Sequence, residues 1–149
     1  MAQVDAFSLP DDLYYDRKEH LWARLEAGKV RVGLDQFGQK MAGTVAYLKL
    51  LPASRTVLKG RSFGSLEAGK YIGPLKAPVG GRLVEVNDAV LANPGLVNTD
   101  PYGEGWLVII EPSSLATDLA DLAHGPDVSP WLEDEVKDYQ ARGLIKDQP

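Results

Sequence analysis

The chain has 149 residues, 44% hydrophobic and 25% charged, with a net charge of −5; this is the make-up of one folded domain, not of a disordered chain. The acidic balance argues against general nucleic-acid binding, which needs surplus Lys and Arg against phosphate, and no apolar run nears the roughly 18 residues of a membrane span. There is no cysteine and the only histidines are His20 and His124, so disulfides and thiolate nucleophiles are excluded and a multi-histidine metal centre is disfavoured.

In chain order, the first residues show no basic stretch followed by an apolar one, so no secretory leader is expected and a cytoplasmic location is. Residues 20–25 and 30–34 flank Glu26-Ala27-Gly28-Lys29, which reads as a hairpin turn. Val30, Val32 and Leu34 alternate with Arg31 and Gly33, the period of a half-buried strand. Asp35 is placed to cap a helical turn in which Phe37 and Met41 share a face. Residues 44–50 form an apolar strand stopped by Pro52; residues 62–66, 82–86 and 106–110 are further strands. Ser113 or Ser114 starts a short helix with Leu115, Leu119 and Leu122 on one side. Near the end, Ser129 suits an N-cap, Pro130 the first helical position and Gly143 the stop. Between them Leu132, Val136 and Tyr139 make one apolar stripe, with Glu133, Asp134 and Glu135 in the early turns, where the helix dipole favours acids. Many short strands at close spacing imply a sandwich or barrel.

Charge is uneven. Residues 1–110 hold 12 acids and 13 bases, whereas residues 111–149 hold 9 acids and 3 bases. Residues 36–66 contain Lys40, Lys49, Arg55, Lys59 and Arg61 and no acid. That stretch is either a solvated face or a docking surface for an acidic partner. Arg55, Lys59 and Arg61, nearest in sequence to the next hairpin, are the expected docking residues.

No G-x-S-x-G elbow, P-loop or H-E-x-x-H helix is present, so no active site of the chain's own and no metal site are expected. His20, beside Trp22, is a lone strand histidine and reads as structural. Lys70 ends a second Glu-Ala-Gly-Lys tetrapeptide, residues 67–70, at a second turn between apolar runs. A lysine there projects away from its sheet; on spacing alone that is the ordinary place of a solvated turn lysine, and it is also the geometry that a carrier of a prosthetic group requires.

Several stretches carry a family resemblance. They are His20-Leu21-Trp22, Val32-Gly33-Leu34-Asp35 with Gln39 and Gly43, and Phe63-Gly64-Ser65-Leu66-Glu67-Ala68-Gly69-Lys70. Ala77-Pro78-Val79-Gly80-Gly81, Val84-Glu85-Val86-Asn87 and Pro94 through Trp106 complete the set. Over about residues 8–145 the sequence resembles the lipoyl-carrying H proteins of the glycine cleavage system. The resemblance implies a mainly β fold, a hammerhead-type lipoyl β-sandwich with short helices and a C-terminal helix. It also implies a single carrier domain over residues 1–149, with its core at about 8–112 and an acidic helical segment at 113–149. It implies lipoate on Lys70, with Glu67, three residues before, and Gly81, eleven after, needed for lipoylation. The implied partners are a lipoate ligase or lipoyl transferase, dihydrolipoamide dehydrogenase and the client enzymes.

The surroundings of that lysine depart from the family pattern. Ala68-Gly69 replaces Ser-Val, Tyr71 through Pro78 differ from the usual run, Thr44 replaces an acid, and Ala53-Ser54-Arg55 stands where a glycine is usual. This pattern resembles the lipoate-binding branch that serves a cytoplasmic heterodisulfide-reductase-like complex in bacterial sulfur oxidation. The expected function is therefore a sulfur-carrying lipoyl protein. The first alternative is the glycine-cleavage carrier of an aminomethyl group, and the second a non-lipoylated binding module.

Overall fold

The computed structural model describes residues 1–69 and 71–145. In chain order the elements are β1 (Ala2–Val4), β2 (Phe7–Leu9), β3 (Tyr14–Tyr15), β4 (Leu21–Glu26), β5 (Lys29–Leu34), α1 (Gln36–Ala42), β6 (Val45–Leu50) and β7 (Thr56–Val57). There follow β8 (Ser62–Ala68), β9 (Tyr71–Lys76), β10 (Gly81–Val86), α2 (Asp88–Ala92), α3 (Leu96–Thr99), β11 (Val108–Pro112), α4 (Leu115–Leu119) and β12 (Ala123–His124). A 3-10 turn (Gly125–Asp127) then leads into α5 (Val128–Ala141). Among the described residues no helix is long and apolar enough to cross a membrane.

The fold is mainly β, as the sequence implies. One sheet has the order β12-β3-β4-β5-β11-β10-β7, a second β6-β8-β9, and a third pairs β1 with β2. Val30, Val32, Leu83, Val108 and Ile110 of the large sheet share a core with Phe63, Leu66 and Leu75 of the three-stranded one, which makes a β-sandwich. The first half of β4, Leu21 to Ala23, is buried on both sides. Leu21 and Ala23 enter this core, while Trp22 points the other way into a second cluster with Leu9, Tyr15, Phe37, Leu132 and Val136. That second cluster seats the β1–β2 hairpin, α1 and α5.

Local chemistry explains most boundaries. Asp35 caps α1 by accepting a hydrogen bond from the Gly38 N–H (2.7 Å). Ala27 (φ 50) and Gly28 (φ 81) close a two-residue turn between β4 and β5. The strand expected at residues 106–110 begins two residues later, as β11, although the Leu107 N–H still bonds the Val32 carbonyl. Helices α2 and α3 follow no sequence period, because four or five residues are too few to show one.

The C-terminal helix starts earlier than its apparent cap. Ser129 and Pro130 lie inside the first turn of α5, because the preceding 3-10 turn already sets its direction. Proline is tolerated there, since its missing N–H would have no partner in any case. Gly143 (φ 74) follows the helix as expected. Leu132 and Val136 are buried, while Tyr139 is half-buried with its edge against Phe37. Val136→Asp should therefore lower the melting temperature markedly, since it removes about 1.5–3 kcal/mol of burial and sets a carboxylate among apolar groups. Asp138→Asn, which loses only an exposed pair with Arg142, should leave it nearly unchanged. Thermal denaturation by circular dichroism compares the two.

Candidate functional site: the second hairpin and the cleft beside it

The two Glu-Ala-Gly-Lys tetrapeptides turn in different registers. In the first, Glu26 pairs with Lys29, so Lys29 belongs to β5. In the second, Glu67 pairs with Ile72 and Ala68 with Tyr71, so the chain reverses between Ala68 and Tyr71. The Gly69 N–H donates to the Thr44 carbonyl (3.2 Å) and ties the reversal to the start of β6. Lys70 itself lies outside the described residues. Glu67 is exposed, standing between Tyr47 and Ile72 across the three-stranded sheet.

A cleft of about 440 Å³ opens beside this hairpin. Leu66 and Leu75 come from the hairpin strands, Leu21 and Leu34 from the large sheet, Met41 from α1 and Tyr139 from α5. Glu19, Lys76 and Arg142 add charge to the lining. Lys76 approaches Glu19 (3.8 Å) and Arg142 pairs with Asp138 (3.1 Å). The lining suits a chain of methylenes, and the size is that of a small-molecule site. Their grouping had no sequence signal, because they come from six separate elements and are brought together only by the sandwich.

His20 has a structural post. It sits at φ 60 just before β4, buried, with Nδ1 3.0 Å from Asp35 Oδ2 and Nε2 bonded to Glu135 of α5. Its ring stacks on Phe37 and Trp131. Burial alone would push the imidazole down, but the Asp35 and Glu135 carboxylates hold it up at about 10. Asp35 thus serves twice, with Oδ1 capping α1 and Oδ2 binding His20.

Gly81 is at the other end of β9 from the reversal. β9 spans five residue steps, roughly 17 Å of strand, before the chain turns back to Gly81 at the start of β10. Gly81 is buried, pairs with Pro112 and Val57, and a Cβ there would overlap the Glu111 carbonyl oxygen. Arg61 lies at that same far end, since it precedes the six steps, roughly 20 Å, that β8 takes to reach the reversal. Arg55 and Arg61 are exposed. Lys59 is not free to dock: its ammonium donates to the carbonyls of Pro78 (2.8 Å) and Asp118 (3.3 Å). Closeness in sequence misleads here because a strand carries its ends apart.

The stretch from Pro94 to Trp106 is a strap. Trp22 Nε1 donates to the Pro101 carbonyl (2.9 Å), Arg24 to the Tyr102 carbonyl (3.0 Å), and the Gln36 N–H to the Tyr102 hydroxyl (2.9 Å). Asn98 accepts from the Val45 N–H and donates to Gln39 and the Gly43 carbonyl. Asn87 donates to the carbonyls of Glu104 and Trp106. These residues therefore specify a scaffold.

The sequence matches the family profile described as Glycine cleavage H-protein over residues 13–135. It is similar to the protein named Glycine cleavage system H protein 3 of Aquifex aeolicus (strain VF5), 39% identical over 135 residues, 88% of this chain and 84% of that one. It is also similar to the glycine cleavage system H protein of Myxococcus xanthus (strain DK1622), 46% identical over 108 residues, 72% of this chain and 83% of the relative. The crystal structure of a glycine cleavage system H protein from Mycobacterium marinum superposes with a TM-score of 0.70 at 29% identity, covering 92% of this chain and all (100%) of that one.

Proposed function

The chain belongs to the glycine cleavage H-protein family, and on that premise we propose that it is a lipoyl carrier with lipoate joined to Lys70 as an amide. The observation that carries the reading is the apolar cleft whose wall includes the hairpin arms themselves. When attached, lipoate supplies a dithiolane that opens to a dithiol and accepts a transferred group. The chain's own residues hold and present it. Leu66, Leu75, Met41 and Tyr139 shelter methylenes from water, and Glu67 marks the hairpin for the attaching enzyme. Gly81 keeps the far end of the sandwich in register. The protein has no chemistry of its own in this reading; it acts in the cytoplasm as one domain of residues 1–149, its core at about residues 8–112, with the acidic C-terminal segment from residue 113 docked through α5.

The client is the set of glycine-cleavage enzymes, with dihydrolipoamide dehydrogenase reoxidising the arm. This is the first alternative of the sequence analysis, and it displaces the sulfur-oxidation reading because the relatives quoted above carry the glycine-cleavage name. The strap from Pro94 to Trp106 supports family membership alone, since its bonds are spent on the scaffold. Arg55 and Arg61 offer positive charge to an acidic partner face, and Lys59 is left to its structural bonds.

The test begins with lipoic acid, ATP and lipoate–protein ligase. Intact mass should show one lipoyl group on the parent and none on Lys70→Arg. Peptide mapping that puts lipoate on Lys29 or Lys76 would overturn the assignment. Lipoylated protein should then be loaded by glycine decarboxylase with glycine. Loading by a heterodisulfide-reductase-like complex instead would restore the sulfur reading.

A further inference from the structure

The outer face of the β6-β8-β9 sheet bears one apolar row. Tyr47 pairs with Glu67 and Glu67 with Ile72, so the three side chains stand abreast on one face. Tyr47 is 67% exposed and Ile72 74%. Single exposed apolar side chains are ordinary, but two large ones abreast around a carboxylate and beside the reversal make a patch of the kind that marks a protein contact. Among the described residues no ion pair holds the Glu67 carboxylate between them. The next pair toward the reversal is Ala68 with Tyr71, so the row lies two residues from it along each strand.

We infer that Tyr47 and Ile72, flanking the Glu67 already assigned to lipoylation, are the docking anchors for the enzyme that attaches lipoate, which presents an apolar pocket to each. The inference rests on the lipoyl-carrier reading above. Reach favours the attaching enzyme over a client. The amine of an unmodified lysine extends only a four-carbon stem from the backbone. An enzyme that acylates it must therefore close on the hairpin and cover the neighbouring row. A client meets the end of a much longer arm and can stay away from the strands. An aromatic and an aliphatic anchor around one carboxylate fit the usual make-up of a small, specific contact.

The experiment uses the whole unmodified chain with lipoate–protein ligase, lipoic acid and ATP, and follows initial lipoylation by intact mass at chain concentrations below KM. Tyr47→Ser and Ile72→Ser should each slow attachment roughly tenfold, the effect of losing an interface anchor. Tyr47→Phe should keep the parent rate. Leu58 is just as open, 66% exposed, but lies between β7 and β8 away from the row, so Leu58→Ser is the control and should also keep the parent rate. All should melt with the parent.

Parent-like rates for Tyr47→Ser and Ile72→Ser overturn the inference, as does an equal loss from Leu58→Ser. Concentration-dependent dimerisation of the parent that both serine variants abolish would assign the row to a second copy of the chain and overturn it too. So would unchanged attachment with slowed loading by glycine decarboxylase, which would assign the row to a client. Failure of the parent itself to take lipoate on Lys70 would instead sink the carrier reading, an outcome separate from all of these.

Discussion

Gly81→Ala should lower the melting temperature by about 6–12 °C. The added methyl group meets the backbone carbonyl of Glu111 on the paired strand β11, and a backbone in the middle of a sheet has no soft side chain to yield. Overpacking of this kind costs about 3 kcal/mol, and a chain of this size loses roughly 2–4 °C per kcal/mol. Gly69→Ala is the matched control. A Cβ at Gly69 meets nothing within 4 Å, so that variant should melt like the parent. The pair also separates two meanings of the resemblance at Gly81. If Gly81→Ala takes lipoate poorly because its sandwich is disturbed, attachment recovers at low temperature where the chain is folded. If it melts like the parent and still resists lipoylation, the attaching enzyme reads the glycine directly and the structural account fails.

The second large effect is at His20. His20→Ala removes the shared partner of Asp35 and Glu135 and empties the space between Phe37 and Trp131. Stranding a buried carboxylate costs about 3–5 kcal/mol. The melting temperature should fall by about 6 °C or more on the same scale of roughly 2–4 °C per kcal/mol. The pH dependence carries a distinct signature. His20 is raised in the folded chain from 6.5 to about 10. Its charge therefore stabilises the fold fully below about pH 6.5, and that contribution fades as pH rises through 10. The parent should lose stability between pH 7 and 10 more steeply than His20→Ala, as followed by urea denaturation. Parallel pH curves for the two proteins would show that the imidazole is not held charged by its carboxylates.

Local rules read well where one residue decides a local event. Asp35 as a cap, the Ala27-Gly28 turn and the Leu132–Val136 stripe all follow from side chains within a few positions of each other. The same rules stopped short where distant strands decide. Identical tetrapeptides at residues 26–29 and 67–70 reverse in different registers, because the second is fixed by pairing with β6 and by the Gly69–Thr44 bond. Lys59 looked like a free surface base, and only the approach of Pro78 and Asp118 shows it engaged. The cleft stayed hidden for the same reason. His20 was readable as structural, but Glu135, its partner across 115 positions, was not.

That separation of 115 positions has a consequence for how the chain is made. A nascent chain emerges from the ribosome N-terminus first, at about 5–20 residues per second. His20 and Asp35 are both out early, and the sandwich strands follow, but Glu135 clears the exit tunnel only after all of them. Until then the imidazole and carboxylate lack their lid, and Trp22, Phe37 and Tyr15 have only part of the cover that α5 provides. A chain stalled or cut before residue 128 would carry every strand of the sandwich yet show an open aromatic face, the kind of surface that chaperones and proteases seize. α5 thereby closes the aromatic face only after every strand of the sandwich has been made.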